Sequence, residues 1–201
     1  MRVCVDLNVW VQDEFVQRHG RAPSAASRIV DAVRRHEWNQ TPLQLVMSVR
    51  MLSDLRNVLV ERRQADPQYA ELYVEAIEGL MRLGPEKLDP HLILAGSEQF
   101  AIADREDRDV MAVAMAARAD LLVTSNLRHF LTPKCEAIVT RTTKGKGGVR
   151  ELHVQIHPRP SSGQLIVADP VDAVAWLDEG VEITAEAVRL RYKHHARLIA
   201  R

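Results

Sequence analysis

Cysteine is nearly missing from this chain of 201 residues: Cys4 and Cys135 are the only two thiols and form no metal-ligand spacing. Thiolate metal centres are thereby excluded, Cys4 reads as a small apolar filler of a strand, and a reducing cytoplasm is the expected compartment. Excess charge is missing too. Lys plus Arg equal Asp plus Glu at 27 each, which excludes nucleic-acid binding driven by an overall positive field and leaves only local patches for it. No apolar run approaches the length of a bilayer span, and no charged, apolar and small-residue succession opens the chain. A soluble protein with no membrane partner is therefore expected. There is no internal repeat, and none of the eight histidines forms a metal pair; His194 and His195 point to different faces of their helix. What is present is 46% hydrophobic content, enough for one core and, by default, one domain.

Strand-like and helix-like segments alternate. Arg2-Val3-Cys4-Val5 is an apolar run without alternation, as in a strand covered on both faces, and it ends in Asp6. Helices are expected over 7–18, after Pro23-Ser24 with Ile29, Val30 and Val33 inward, and from the Ser48 cap to about Arg63 with the stripe Leu52, Leu55 and Leu59. Another starts at Asp66-Pro67, with Leu72, Ala76, Ile77 and Leu80 inward, and ends at Gly84-Pro85; a further one covers 104–118. Strands are expected at 43–47, at 121–123, at 164–167 and, more weakly, at 100–103. Segments 137–141 and 152–156 read as a β-hairpin around a flexible basic tip, Lys144 to Gly148. Helices over 170–177 and 184–199 close the chain. The alternation predicts a parallel sheet with helices on both sides.

In such sheets ligands gather beyond the carboxyl ends of the strands. Asp6 sits there, Asp104 and Asp107 open a later helix, and Asp54 flanks the apolar stripe of the helix after the second strand. Asp107 shares a helical face with Val110, Met111 and Ala114, which draws it inward. Carboxylates brought together repel and raise one another's pKa unless a cation neutralises them. Hard oxygen donors favour Mg²⁺ or Mn²⁺, which can activate water and stabilise charge on a phosphodiester. Asp104 can equally be a helix cap, and Asn8 and Asn126 turn or cap residues.

The chain resembles the PIN domain family, in particular its bacterial VapC-like toxin branch, in V-D-L-N-V at 5–9, M-S-V-R-M-L-S-D-L-R-N-V-L at 47–59 and D-R-E-D-R-D-V-M-A-V-A-M-A-A-R-A-D-L-L-V-T-S-N-L-R-H-F at 104–130. Leu7 stands where the family has a small, often hydroxylated residue, and Asp54 where it generally has Glu. The resemblance implies a three-layer α/β/α domain with a central parallel sheet, a β-hairpin insertion and a C-terminal helix. Its core would be 1–133 and 164–180, the insertion 134–163 and a basic amphipathic helix 181–201. It implies a metal-dependent endoribonuclease with Mg²⁺ or Mn²⁺ held by Asp6, Asp54 and Asp107, and Asn126 near the fourth position. Asn8, Asp104 and Thr124 are auxiliary. RNA is the implied partner, with an antitoxin protein and a second copy of the chain as further candidates. Lys144, Lys146 and Arg150 at the hairpin tip, and Lys193 and Arg197 on the last helix beside Arg189, are candidate phosphate contacts or simply solvated charge. A catalytically degenerate RNA- or protein-binding module is the alternative. A haloacid-dehalogenase-like phosphatase ranks low, because the second Asp it requires is Asn8 here.

Overall fold

Burial on both faces decides the centre of the fold. Strand β1 (Arg2–Val5) is flanked by two further apolar runs, β4 (Gln44–Val46) and β5 (Leu121–Val123), and pairs with both in parallel. Its Val3, Cys4 and Val5 are completely buried, and so are Leu45, Leu121 and Val123. The structure, a computed structural model, describes residues 1–93, 102, 104–145, 148–159 and 163–193; for 143–145 and 148–150 it describes the backbone alone. Within the first half lie helices α1 (Leu7–Arg18), α2 (Ala25–Arg34), α3 (Val49–Asn57) and α4 (Pro67–Leu83), with the short antiparallel pair β2 (Glu37–Trp38) and β3 (Thr41–Pro42) between α2 and β4. Helix α5 (Arg105–Ala116) leads into β5. The hairpin β6 (Glu136–Gly145) and β7 (Gly148–Pro158) follows, then β8 (Gln164–Ala168), α6 (Pro170–Glu179) and α7 (Ala185–Tyr192).

Among the described residues the main sheet has six strands, in the order β4-β1-β5-β8-β7-β6. Four neighbouring strands are parallel, while β7 is antiparallel to both β8 and β6. The central sheet is thus mixed, because the hairpin continues it instead of standing apart. Helices flank it, giving a three-layer α/β/α fold. With β1 between β4 and β5, the strand order reverses at β1, and such a reversal opens a crevice beyond the carboxyl ends of the strands.

Local chemistry sets the helix boundaries. Ser24, Ser48, Asp66, Asp104, Asp169 and Thr184 each cap a helix by accepting a hydrogen bond from a backbone N–H of its first turn. Helix α3 widens into a π turn at Val58–Arg62 and so runs close to the expected end. Helix α4 corrects the sequence reading: Ala70, Val74, Ile77 and Met81 are buried, whereas Leu72 is 58% exposed and Ala76 is also exposed. Tyr73, adjacent to Val74, fixes that rotation by donating its hydroxyl to the Trp10 carbonyl (3.3 Å). The hairpin is longer than expected, since pairing runs through Thr142, Thr143 and Lys144 to Gly145 opposite Gly148; β-branched Thr142, Thr143 and Val149 favour the extended backbone. The weak strand expected at 100–103 lies outside the described residues apart from Ile102, which is buried and in no strand. Among the described residues, no helix is long and apolar enough to cross a membrane.

Candidate active site

The end of β1 and the end of β5 are tied together by side chains. Asp6, 4% exposed, follows β1, its backbone N–H donating to the Val123 carbonyl (3.0 Å). Its Oδ1 accepts from the Leu7 N–H (2.7 Å), capping α1; its Oδ2 accepts from the Thr124 hydroxyl (2.6 Å) and from Asn8 Nδ2 (2.5 Å). Asn8 Nδ2 also donates to Thr124 Oγ1 (3.2 Å), and Asn8 Oδ1 accepts from the Ser125 N–H (3.0 Å). Thr124 Oγ1 receives the Asn126 N–H (3.0 Å). Asn8 is therefore a clamp between two strand ends, with both ends of its amide engaged, and it offers no acid or base of the kind a phosphatase would need there. Asn126 precedes the 3₁₀ turn Leu127–Phe130, and its side chain caps nothing in that turn.

The second group sits at the start of α5. Asp104 Oδ1 accepts from the Glu106 and Asp107 N–H groups (2.8 and 3.3 Å), so the capping role is real. Asp107 is 7% exposed, and its Oδ2 accepts from His129 Nδ1 (2.7 Å). Asp104, Asp107 and His129 each offer a ligand atom, all within 4.8 Å of one another. The two groups feel each other. Burial, helped by the neighbouring Asp107 charge, pushes the Asp6 carboxyl up to about 6 against three hydrogen bonds that pull it down. Burial likewise raises Asp107, which the His129 hydrogen bond lowers and Asp104 raises. Two acids held at raised pKa by desolvation and by neighbouring carboxylates are a place where a hard cation gains free energy.

Asp54 stands differently. Its side chain, about one-third exposed, lies 3.7 Å from Arg50 Nε, which also lies 3.1 Å from Asp109 Oδ2. Its ion-pair partner is thus a guanidinium rather than a member of the Asp6 or Asp107 groups. Of the candidate phosphate contacts, Lys193 is exposed, directly after α7. Lys144 and Arg150 occupy paired positions of the hairpin, opposite Val149 and Thr143, with nothing described of their side chains; Lys146 and Arg197 lie outside the described residues. Arg189 is not on a free ridge: it makes a bidentate pair with Glu136 of β6.

Sequence reasoning missed His129 as a site residue. Looking for histidine pairs could not find it, because its partner is a carboxylate 22 positions earlier; the available signal was its place in the Asn126-Leu127-Arg128-His129-Phe130 stretch. Arg50 was missed as well, although its i,i+4 spacing to Asp54 is visible in the sequence.

A family model described as PIN domain matches residues 2–128. No curated protein and no solved structure matches the chain.

Proposed function

The chain belongs to the PIN domain family, a nuclease-type fold, and on that premise we propose that it is a metal-dependent endoribonuclease hydrolysing RNA phosphodiester bonds. The observation that carries this reading is the pair of buried carboxylates, Asp6 just beyond the carboxyl end of β1 and Asp107 in the first turn of α5, the charge of Asp107 raising the pKa of Asp6. The donors fit Mg²⁺ or Mn²⁺: carboxylate oxygens dominate, with one imidazole beside them. Asp6 and Asp107 would hold the ion, with Asp104 beside them and Asp54 completing the set once released from Arg50. When bound, the ion supplies a water activated for attack and a positive charge for the phosphodiester.

The chain's own residues do the rest. Thr124, Asn8 and the Leu7 N–H fix both oxygens of Asp6, so the carboxylate keeps one orientation. His129 does the same for Asp107 Oδ2. Asn126, whose backbone N–H donates to Thr124 Oγ1, would orient a water or the substrate. Lys193, with Lys144, Lys146, Arg150 and Arg197, supplies phosphate contacts in a molecule that has no net charge. On the same reading the chain is the toxin of a toxin–antitoxin pair.

Incubation of the purified protein with end-labelled single-stranded RNA tests this. Cleavage is expected in Mn²⁺ or Mg²⁺, abolished by EDTA, and reduced to background in Asp6→Asn and Asp107→Asn variants that remain folded. Cleavage persisting unchanged in both variants would refute the assignment. A second reading, a PIN module that binds without cutting, is favoured by the Arg50–Asp54 pair; metal-independent RNA binding with no cleavage by the wild type would establish it. Growth arrest on expression, relieved by Asp107→Asn, tests the toxin role.

A further inference from the structure

Strand β7 buries polar side chains where a sheet interior calls for apolar ones. Along one side of it lie Leu152, Val154 and Ile156, an ordinary core face; along the other lie His153, Gln155 and His157, all buried, Gln155 completely. Burying three such groups is costly unless each is hydrogen-bonded, so their partners show what the row is for. Gln155 Nε2 donates to the Leu127 carbonyl (2.5 Å) and to His153 Nε2 (3.2 Å), and Gln155 Oε1 accepts from His157 Nε2 (3.0 Å). His157 Nδ1 in turn lies 3.5 Å from the Thr132 hydroxyl. The directions are mutually consistent: flipping the Gln155 amide would set two carbonyl oxygens against each other at Leu127.

Leu127 begins the 3₁₀ turn that holds His129, and Asn126 stands just before it. The row on β7 thus grips that turn from one side, while His129 reaches Asp107 of α5 from the other. Strand β7 lies wholly beyond residues 2–128, the part matched by the family model. We propose that Gln155, supported by His157, is a positioning residue of the candidate active site, which anchors the Leu127 carbonyl and thereby sets where the turn presents Asn126 and His129 to Asp107. The hairpin is on this view part of the site's framework. The metal-affinity consequence rests on the nuclease reading; the anchoring itself does not.

The test compares Gln155→Met, similar in shape but without the amide N–H donor and carbonyl oxygen, with Val154→Ala, which loosens the opposite, apolar face of the same strand. Three quantities are measured: global stability, amide hydrogen exchange over residues 125–130 with the ¹⁵N shift of the His129 ring, and Mn²⁺ affinity by calorimetry. Gln155→Met is expected to speed exchange in 125–130, to shift the His129 ring signal, and to weaken Mn²⁺ binding about tenfold, as loss of groups that orient metal ligands does. Val154→Ala is expected to lower global stability and leave the other two unchanged. If the variants behave alike once matched for stability, or if Gln155→Met moves neither exchange nor ring shift, the positioning role is wrong. If the wild type neither binds Mn²⁺ nor cuts RNA, the nuclease reading fails, and the exchange and ring-shift measurements still decide the anchoring. Should Gln155→Met not fold, Gln155→Asn, which keeps the amide but shortens its reach, carries the same comparison.

Discussion

Asp6 is held by hydrogen bonds in a place that water scarcely reaches, and the two effects oppose. Desolvation wins, so the folded protein keeps the proton up to about pH 6 while the unfolded chain releases it near the ordinary carboxylate value of 3.8. Between these values the folded state binds more protons, so its stability falls as pH rises through the window, and the full penalty is present above it. A shift of this size is worth about 2–3 kcal/mol. Urea unfolding of the metal-free protein at pH 4 and pH 7 should therefore show the stability difference moving in favour of Asp6→Asn by that amount at the higher pH. Added Mn²⁺ at pH 7 should raise the wild-type midpoint and leave the variant's where it was. Asp6 was legible in the sequence because a charge directly after a buried strand is rare without purpose. His129 was not, because its meeting with Asp107 depends on how a 3₁₀ turn aims one side chain, and no periodicity encodes that.

Helix α4 shows how periodicity finds an element and still misjudges its rotation. The expected Leu72, Ala76, Ile77 and Leu80 and the observed Ala70, Val74, Ile77 and Met81 are both helical stripes: Ile77 belongs to both and Leu80 packs partly buried against the core, while Leu72 and Ala76 face solvent. Hydrophobicity alone favours the one with more leucine; the Tyr73 hydroxyl bonded to Trp10, a tertiary contact, selects the other. Thermal or urea melts should find Leu72→Lys within about 0.5 kcal/mol of wild type, and Ile77→Ala destabilised by about 2–4 kcal/mol. At the end of the same helix, a Cβ on Gly84 would lie 2.6 Å from Gln44 Oε1, which accepts from the Glu86 N–H. Gly84→Ala should cost about 1–3 kcal/mol by displacing that buried amide. The Gly84-Pro85 pair reads as a plain helix stop; the close approach of Gln44 is invisible before folding.

At the scale of the molecule, the parallel half of the sheet was legible from the alternation of apolar runs and helices, and the merging of the hairpin into it was not. That merging is secured by contacts far apart in sequence. The register shifts between Val139 and Arg141, and between them Thr140 donates to Asp172 (2.8 Å), while Arg141 pairs with Asp169 at the cap of α6 (2.5 Å) and lies 3.5 Å from Asp172. Removing residues 143–150 should leave cooperative unfolding intact. Arg141→Ala should lower stability by about 1–3 kcal/mol, because it strips two partly buried carboxylates of their cation.

Cys4 gives the same molecule a chemical clock. Its thiol is fully buried in β1, two residues before Asp6, and burial drives its pKa well above the ordinary thiol range. An alkylating reagent meets almost no thiolate until β1 leaves the sheet. In a Cys135→Ser background, the rate of Cys4 modification therefore counts openings of the central strand. An ion gripping the acids beyond that strand must slow the count by mass action, so its affinity could be read from a single sulfur atom before any RNA is added.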